Sequence, residues 1–136
     1  MRAALRVVLD ILLRVLLLVA IDWVFGWLVI DVLSDAEDAD IGGGILVMCL
    51  IAGVASLVAL RDGTRWGVSR ALLVWVVVAV LAAAATTVRS NLVGPGDLDL
   101  GVLRSDLLDP FWTLWIGLPA CAGAVLGGLM RRGARP

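Results

Sequence analysis

The chain contains no histidine, no tyrosine and no lysine. Without histidine it lacks the side chain most used for acid–base work near neutral pH, which is also the commonest nitrogen metal ligand. It carries no Gly-rich phosphate loop, no cluster with metal-ligand spacing and no nucleophile–base set, so it reads as neither an enzyme nor a cofactor or metal carrier. No nucleic-acid partner is expected. Cysteine is scarce too: Cys49 and Cys121 both fall in apolar runs, where buried small hydrophobes are expected rather than a disulfide. Polar surface is the largest deficit. Of the 136 residues, 62% are hydrophobic and the mean hydropathy is +1.05, against roughly 45–50% apolar in a soluble domain. Such a chain cannot cover a water-facing exterior.

What is present comes in long runs. A helix rises about 1.5 Å per residue and the hydrocarbon core of a bilayer is about 30 Å thick, so some 20 apolar residues cross it. Four runs qualify, at about 11–33, 41–60, 68–88 and 111–130. A backbone in lipid must satisfy its own hydrogen bonds, which selects helices, and period-2 alternation for a barrel is missing. The expected fold is therefore all-α: one polytopic bundle of four transmembrane helices spanning residues 1–136, with the lipid bilayer as its surroundings. Asp10 and Arg14 interrupt the first run and no small-x-small cleavage site follows, so that run reads as a retained span. Asp10 and Arg14, four apart, are expected to pair on one helix face.

All eleven basic residues are arginine, which with the Ala, Val, Leu and Gly richness suggests a GC-rich bacterial genome. Their placement is informative. Arg2, Arg6, Arg61, Arg65, Arg70, Arg131, Arg132 and Arg135 lie in the two tails and the second loop; only Arg89 and Arg104 lie in the other loops. Positive charge stays inside, so both termini are expected in the cytoplasm of a bacterial plasma membrane. Trp66 then marks the inner interface, and Phe111, Trp112 and Trp115 the outer one. The acidic stretch at residues 31–40 forms the first outer turn, with Asp31 a solvated interfacial carboxylate. Glycines 42–44 precede the second helix, Gly63 supplies its left-handed C-cap, and Gly94-Pro95-Gly96 breaks the third loop. Residues 97–109 of that loop alternate leucines with charges, as a short surface helix or an ordered loop would.

Asp22 is the candidate functional residue. It sits midway along the first run, where insertion costs about 2.5–3.5 kcal/mol unless the carboxylate has a partner or a use. Burial disfavours the charged form of a carboxyl, so such a group can exchange a proton for a cation. Trp23 and Trp27 flank it, and Trp75 is placed at a similar depth. Together they would suit a small lipophilic or quaternary cation, at about 0.5–2 kcal/mol per indole ring. The alternative is a structural Asp22 bonded to a neighbouring helix or to a partner subunit, with the tryptophans filling gaps in the bundle or facing lipid. Small residues mark packing seams: Gly123 and Gly127, the series Ala120, Ala124 and Gly128, and Ala52/Ser56 with Ala55/Ala59. They serve packing within the chain or an oligomer. Pro119 should bend the last helix.

The pair Asp62-Gly63, the segment Leu72-Leu73-Val74-Trp75 and the stretch Leu118-Pro119-Ala120-Cys121-Ala122-Gly123 together resemble the actinobacterial four-helix branch of the drug/metabolite transporter superfamily. The resemblance covers most of the chain and implies a small exporter-like protein with no defined catalytic residue. The small multidrug resistance exporters are a looser analogy, with four helices and a first-helix carboxylate; theirs is typically Glu and their charge bias weak. The function expected is export of a small lipophilic or cationic compound, coupled to protons and needing an oligomer. The competing expectation is a non-transporting accessory subunit packed against a larger complex.

Overall fold

A computed structural model describes residues 2–28, 39–93 and 100–133. Among them every element is helical: α1 (Arg2–Trp27), α2 (Ala39–Trp66), α3 (Val68–Val93), α4 (Leu100–Leu108) and α5 (Phe111–Gly133). Three stretches are long and apolar enough to cross a membrane: Gly42–Trp66, Val68–Leu92, and Leu100–Gly133, which joins α4 to α5. The first helix, with Arg6, Asp10, Arg14 and Asp22 along it, is not among them.

The helices outrun the apolar stretches from which their bounds were expected. α1 begins nine residues before Ile11, α2 includes glycines 42–44 and runs on through Arg61-Asp62-Gly63, and α3 continues past Arg89. The expected ends fell at the first charges, but a charge does not end a helix whose backbone bonds are already made. What ends α2 is Gly67. Its φ of 85° lies in the left-handed region that costs an L-residue about 1–2 kcal/mol. Its N–H donates to Gly63 O (3.0 Å) and its own carbonyl receives Ala71 N–H (3.2 Å). One residue thus closes α2 and opens α3. The C-cap expected at Gly63 is four residues early. The segment 29–38, including Asp31, and the Gly94-Pro95-Gly96 breaker lie outside the described residues.

α5 starts where its sequence dictates. Asp109 Oδ1 accepts the Phe111 N–H (2.9 Å), the bond of an N-cap. Pro110, which has no N–H to leave unpaired, offers the carbonyl that takes Leu114 N–H (2.8 Å). Asp109→Ala is expected to cost about 1 kcal/mol, read as a lower midpoint in thermal unfolding, with Asp109→Ser restoring most of it. α5 passes through Pro119 as one helix. Of the two readings of residues 97–109, the short helix is the one formed: α4 has no buried residue and is tied to α3 by Asn91 Nδ2–H donating to Asp106 Oδ2 (3.1 Å).

The arrangement is a rhombus. α2 and α3 form the shared middle, α5 lies on one side and α1 on the other, and among the described residues α1 and α5 do not touch. α2 and α5 run parallel and carry the closest packing. A Cβ on Gly123 would lie 2.2 Å from Ser56 O, one on Gly127 2.0 Å from Leu60 O, and one on Gly63 2.2 Å from Ala124 O. A glycine hydrogen occupies each direction instead, aimed at a carbonyl, as recurs where helices pack closely. Gly128 leaves room for Val68, and Ala120 and Ala124 are fully buried. The small-residue seam of the last span therefore serves packing within the chain, and Gly63 belongs to it. The core beneath is Val47, Ile51, Ala55 and Ala59 of α2, with Ala71, Val74, Trp75, Val78, Ala79 and Ala82 of α3. Among its described residues α1 adds only Leu18 to the buried apolar set. Against expectation, Cys49 is exposed; Cys121 is partly buried, and both are free thiols.

Candidate functional site

Four residues of α1 repeat at every fourth position: Arg14, Leu18, Asp22 and Gly26. In a helix this spacing makes one stripe, and the stripe faces α2 and α3. Leu18, Asp22 and Gly26 are buried and Arg14 is nearly so. The seam between α1 and the α2–α3 pair is thus polar at two levels.

At the level nearer the α1 N-terminus, Arg14 meets Asp62. Arg14 Nε–H and Nη2–H donate to Asp62 Oδ2 and Oδ1, both at 2.9 Å, the two-pronged geometry that makes guanidinium–carboxylate bonds strong. Arg14 Nη1 donates to Asp10 O at 2.5 Å. The expected pairing with Asp10 is therefore made to its backbone, and the charge goes to Asp62 on another helix. Trp75 Nε1–H also donates to Asp62 Oδ2 (3.0 Å). The Arg14 guanidinium lies 4.8 Å from the Trp66 ring centroid, and that of Arg70 lies 5.3 Å from it. Asp62 is 2% exposed. Every nitrogen of Arg14 and both oxygens of Asp62 are engaged, so this cluster is closed.

At the other level, Asp22 Oδ2 accepts a hydrogen bond from Arg89 Nη1. The Arg89 guanidinium lies 5.7 Å from the Trp23 ring centroid. Its Nη2 packs against Gly26, where an added Cβ would sit 3.7 Å away. This cluster is open: the Arg89 side chain is 29% exposed, against 13% for Arg14. Asp22 lies five residues before the end of α1, and Arg89 four before the end of α3. Asp22 thus lies past the midpoint of the described part of α1; residues 29–33, where the expected span ended, lie outside the described residues.

The expected constellation is not assembled as one group. Trp23 stands beside Asp22 and against Arg89 but is 57% exposed, and Trp27 is 59% exposed. Trp75 is 1% exposed and serves Asp62, at the other cluster. The ion pairing of three side chains escaped the sequence reading, which paired Arg14 with Asp10 and left Arg89 in the third loop and Asp62 at the end of the second helix. A signal for Asp62 was present: Val47, Ile51, Ala55 and Ala59 recur every four residues, and continuing α2 by three or four more brings Asp62 and Gly63 onto the same buried face. Among the described residues no buried side-chain nitrogen or oxygen lacks a partner, and no group of metal-ligating side chains forms.

Fold and site together define an all-helical protein with three helices able to cross a membrane and two ion pairs, one closed and one open, along one helix seam. No protein-family model, curated protein or solved structure matches the chain.

Proposed function

We propose that the chain is a four-span protein of the bacterial plasma membrane, with both termini cytoplasmic, acting as a small drug/metabolite-type transporter. α1 is the fourth span and the moving part. Arg14 and Asp22 do not bar it from the bilayer, because each meets an opposite charge inside the bundle. The observation that carries the reading is the placement of the two ion pairs. Both join α1 to the other helices, one towards each end, and one is sealed while the other is open. α2 and α5 are held by backbone contact and cannot part without loss of packing, whereas α1, among its described residues, contributes a single fully buried apolar side chain. Releasing one pair while the other holds tilts α1 and opens one end of the seam. A proton taken up by Asp22 or Asp62 discharges the carboxylate that holds its arginine, which supplies coupling. Two segments of the family resemblance also meet here: Asp62 takes its hydrogen bond from Trp75. Four helices enclose little space, so the working unit is an oligomer.

A second reading, a non-transporting accessory subunit, draws on the same pairs taken as static. Asp22 finds its arginine within the chain, so the bundle balances its charges without movement. The test is purified protein in liposomes holding a pH-sensitive dye, challenged with a panel of lipophilic cations and anions. Transport predicts protein-dependent proton movement with at least one compound, falling at least about tenfold in Asp22→Asn or Asp62→Asn that stays folded. No movement across the panel, with folded protein, gives the accessory reading.

A further inference from the structure

The open cluster sits at the end of a lateral groove of about 470 Å³ between α1 and α3, lined by Trp23, Ala84, Ala85, Val88, Arg89 and Leu92. Its walls are indole, methyl and isopropyl groups; Ala84 and Ala85 keep its floor low. The one charged side chain in the lining is Arg89. Asp22, the residue from which a cationic cargo would be inferred, is turned inward, its side chain 12% exposed.

The two guanidinium groups of the seam are used differently. Arg14 engages all three nitrogens. Arg89 engages Nη1 alone among the described residues, leaving Nε and Nη2 as an unused pair of donors along one edge. Guanidinium donors in a fork match the two oxygens of a carboxylate, and an apolar surface beside them matches a hydrocarbon chain. Charge complementarity thus argues for an anion in a groove whose neighbouring carboxylate is already spent.

We propose that this groove binds a long-chain carboxylate taken from the lipid phase. Its carboxyl group bridges Nε and Nη2 of Arg89, and its chain lies along Trp23, Ala84, Ala85, Val88 and Leu92. As the cargo site of the transporter, an assignment that rests on the functional reading above, it makes the exported compound a lipophilic anion. Asp22 holds Nη1 and leaves Nε and Nη2 to the cargo, but its negative charge beside the cargo carboxylate weakens binding.

The experiment is binding of cis-parinaric acid, a fluorescent long-chain carboxylate, to the full chain in nanodiscs of zwitterionic lipid. Energy transfer from tryptophan is the readout, and dodecyltrimethylammonium the cationic competitor. Wild type is expected to bind the carboxylate and to ignore the cation. Arg89→Gln should bind at least about tenfold more weakly, the worth of a charge-assisted pair of bonds. Asp22→Asn should bind more tightly, again by about tenfold, because the like charge beside the cargo carboxylate is gone. The two variants move in opposite directions, so a fold lost in Arg89→Gln leaves Asp22→Asn to decide. Equal binding in wild type and Asp22→Asn overturns the proposal. So does displacement by the cation, which would hand the groove to cationic cargo. Carboxylate binding without proton movement in liposomes removes the transport reading and leaves the site standing; proton movement driven by cations alone does the reverse.

Discussion

Gly127→Val is expected to separate α2 from α5 and to give the largest loss of stability of any single substitution in the small-residue seam. The new Cβ would stand 2.0 Å from Leu60 O and 2.9 Å from the carbon of that carbonyl. These are backbone atoms inside a helix, so no side chain can swing away to make room. Inserting even a methylene into a packed core costs about 1–3 kcal/mol, and more where the neighbours cannot give. Here the two helices must move apart as bodies, which also strips the contacts at Gly63 and Gly123. We expect a cost of about 3 kcal/mol or more on that scale, seen as aggregation or an earlier unfolding midpoint in mild detergent. Gly133→Val is the control, since a Cβ there meets nothing within 4 Å. Equal midpoints for the two variants would show that α2 and α5 do not pack as described.

The second large effect is at the closed cluster, and its direction depends on how many partners are removed. Asp62→Ala leaves Arg14 without its counter-charge at a nearly buried position and takes the acceptor from Trp75 Nε1 as well. Removing one partner of a buried ion pair costs about 3–5 kcal/mol. The orphaned indole N–H adds about 1–3 kcal/mol, so the protein is expected to fail to accumulate folded. Arg14→Met with Asp62→Leu is expected to recover most of that loss, because two apolar side chains of similar volume bring no charge out of water. The measurement is a double-mutant cycle on unfolding midpoints. Additive losses would mean that Arg14 and Asp62 are not coupled. The recovered double variant should fold and still lose proton movement, which separates the stability of the pair from its use.

The errors in the helix ends share one origin. Hydropathy treats a charge as the edge of a span, but it has no access to a partner 48 or 67 residues away in the chain, the separations of Arg14 from Asp62 and of Asp22 from Arg89. Arg14, Asp62 and Arg89 were placed at or beyond the edges for that reason, and Gly63 was given the cap that Gly67 forms. The small-residue series at Ala120, Gly123, Ala124, Gly127 and Gly128 was legible, because close approach of backbones needs short side chains whatever the partner helix is. Asp22 stood out correctly as a carboxylate requiring compensation. That Arg89 supplies it, and that Trp75 serves Asp62 instead, depends on which helices are neighbours.

By itself, then, the sequence determined the all-helical class, the existence of the long apolar helices, the start of α5 at Asp109-Pro110 and the seam of small residues. Each is a local property, set by run length, capping chemistry or side-chain size within a few turns. Only the tertiary structure decided that α1 stands apart from α5, that its Arg14 and Asp22 are matched on two different helices, and that one matched pair is sealed while the other opens on a groove. Those features are set by pairwise electrostatics and packing between segments distant in the chain, and a linear pattern carries no record of which segments meet.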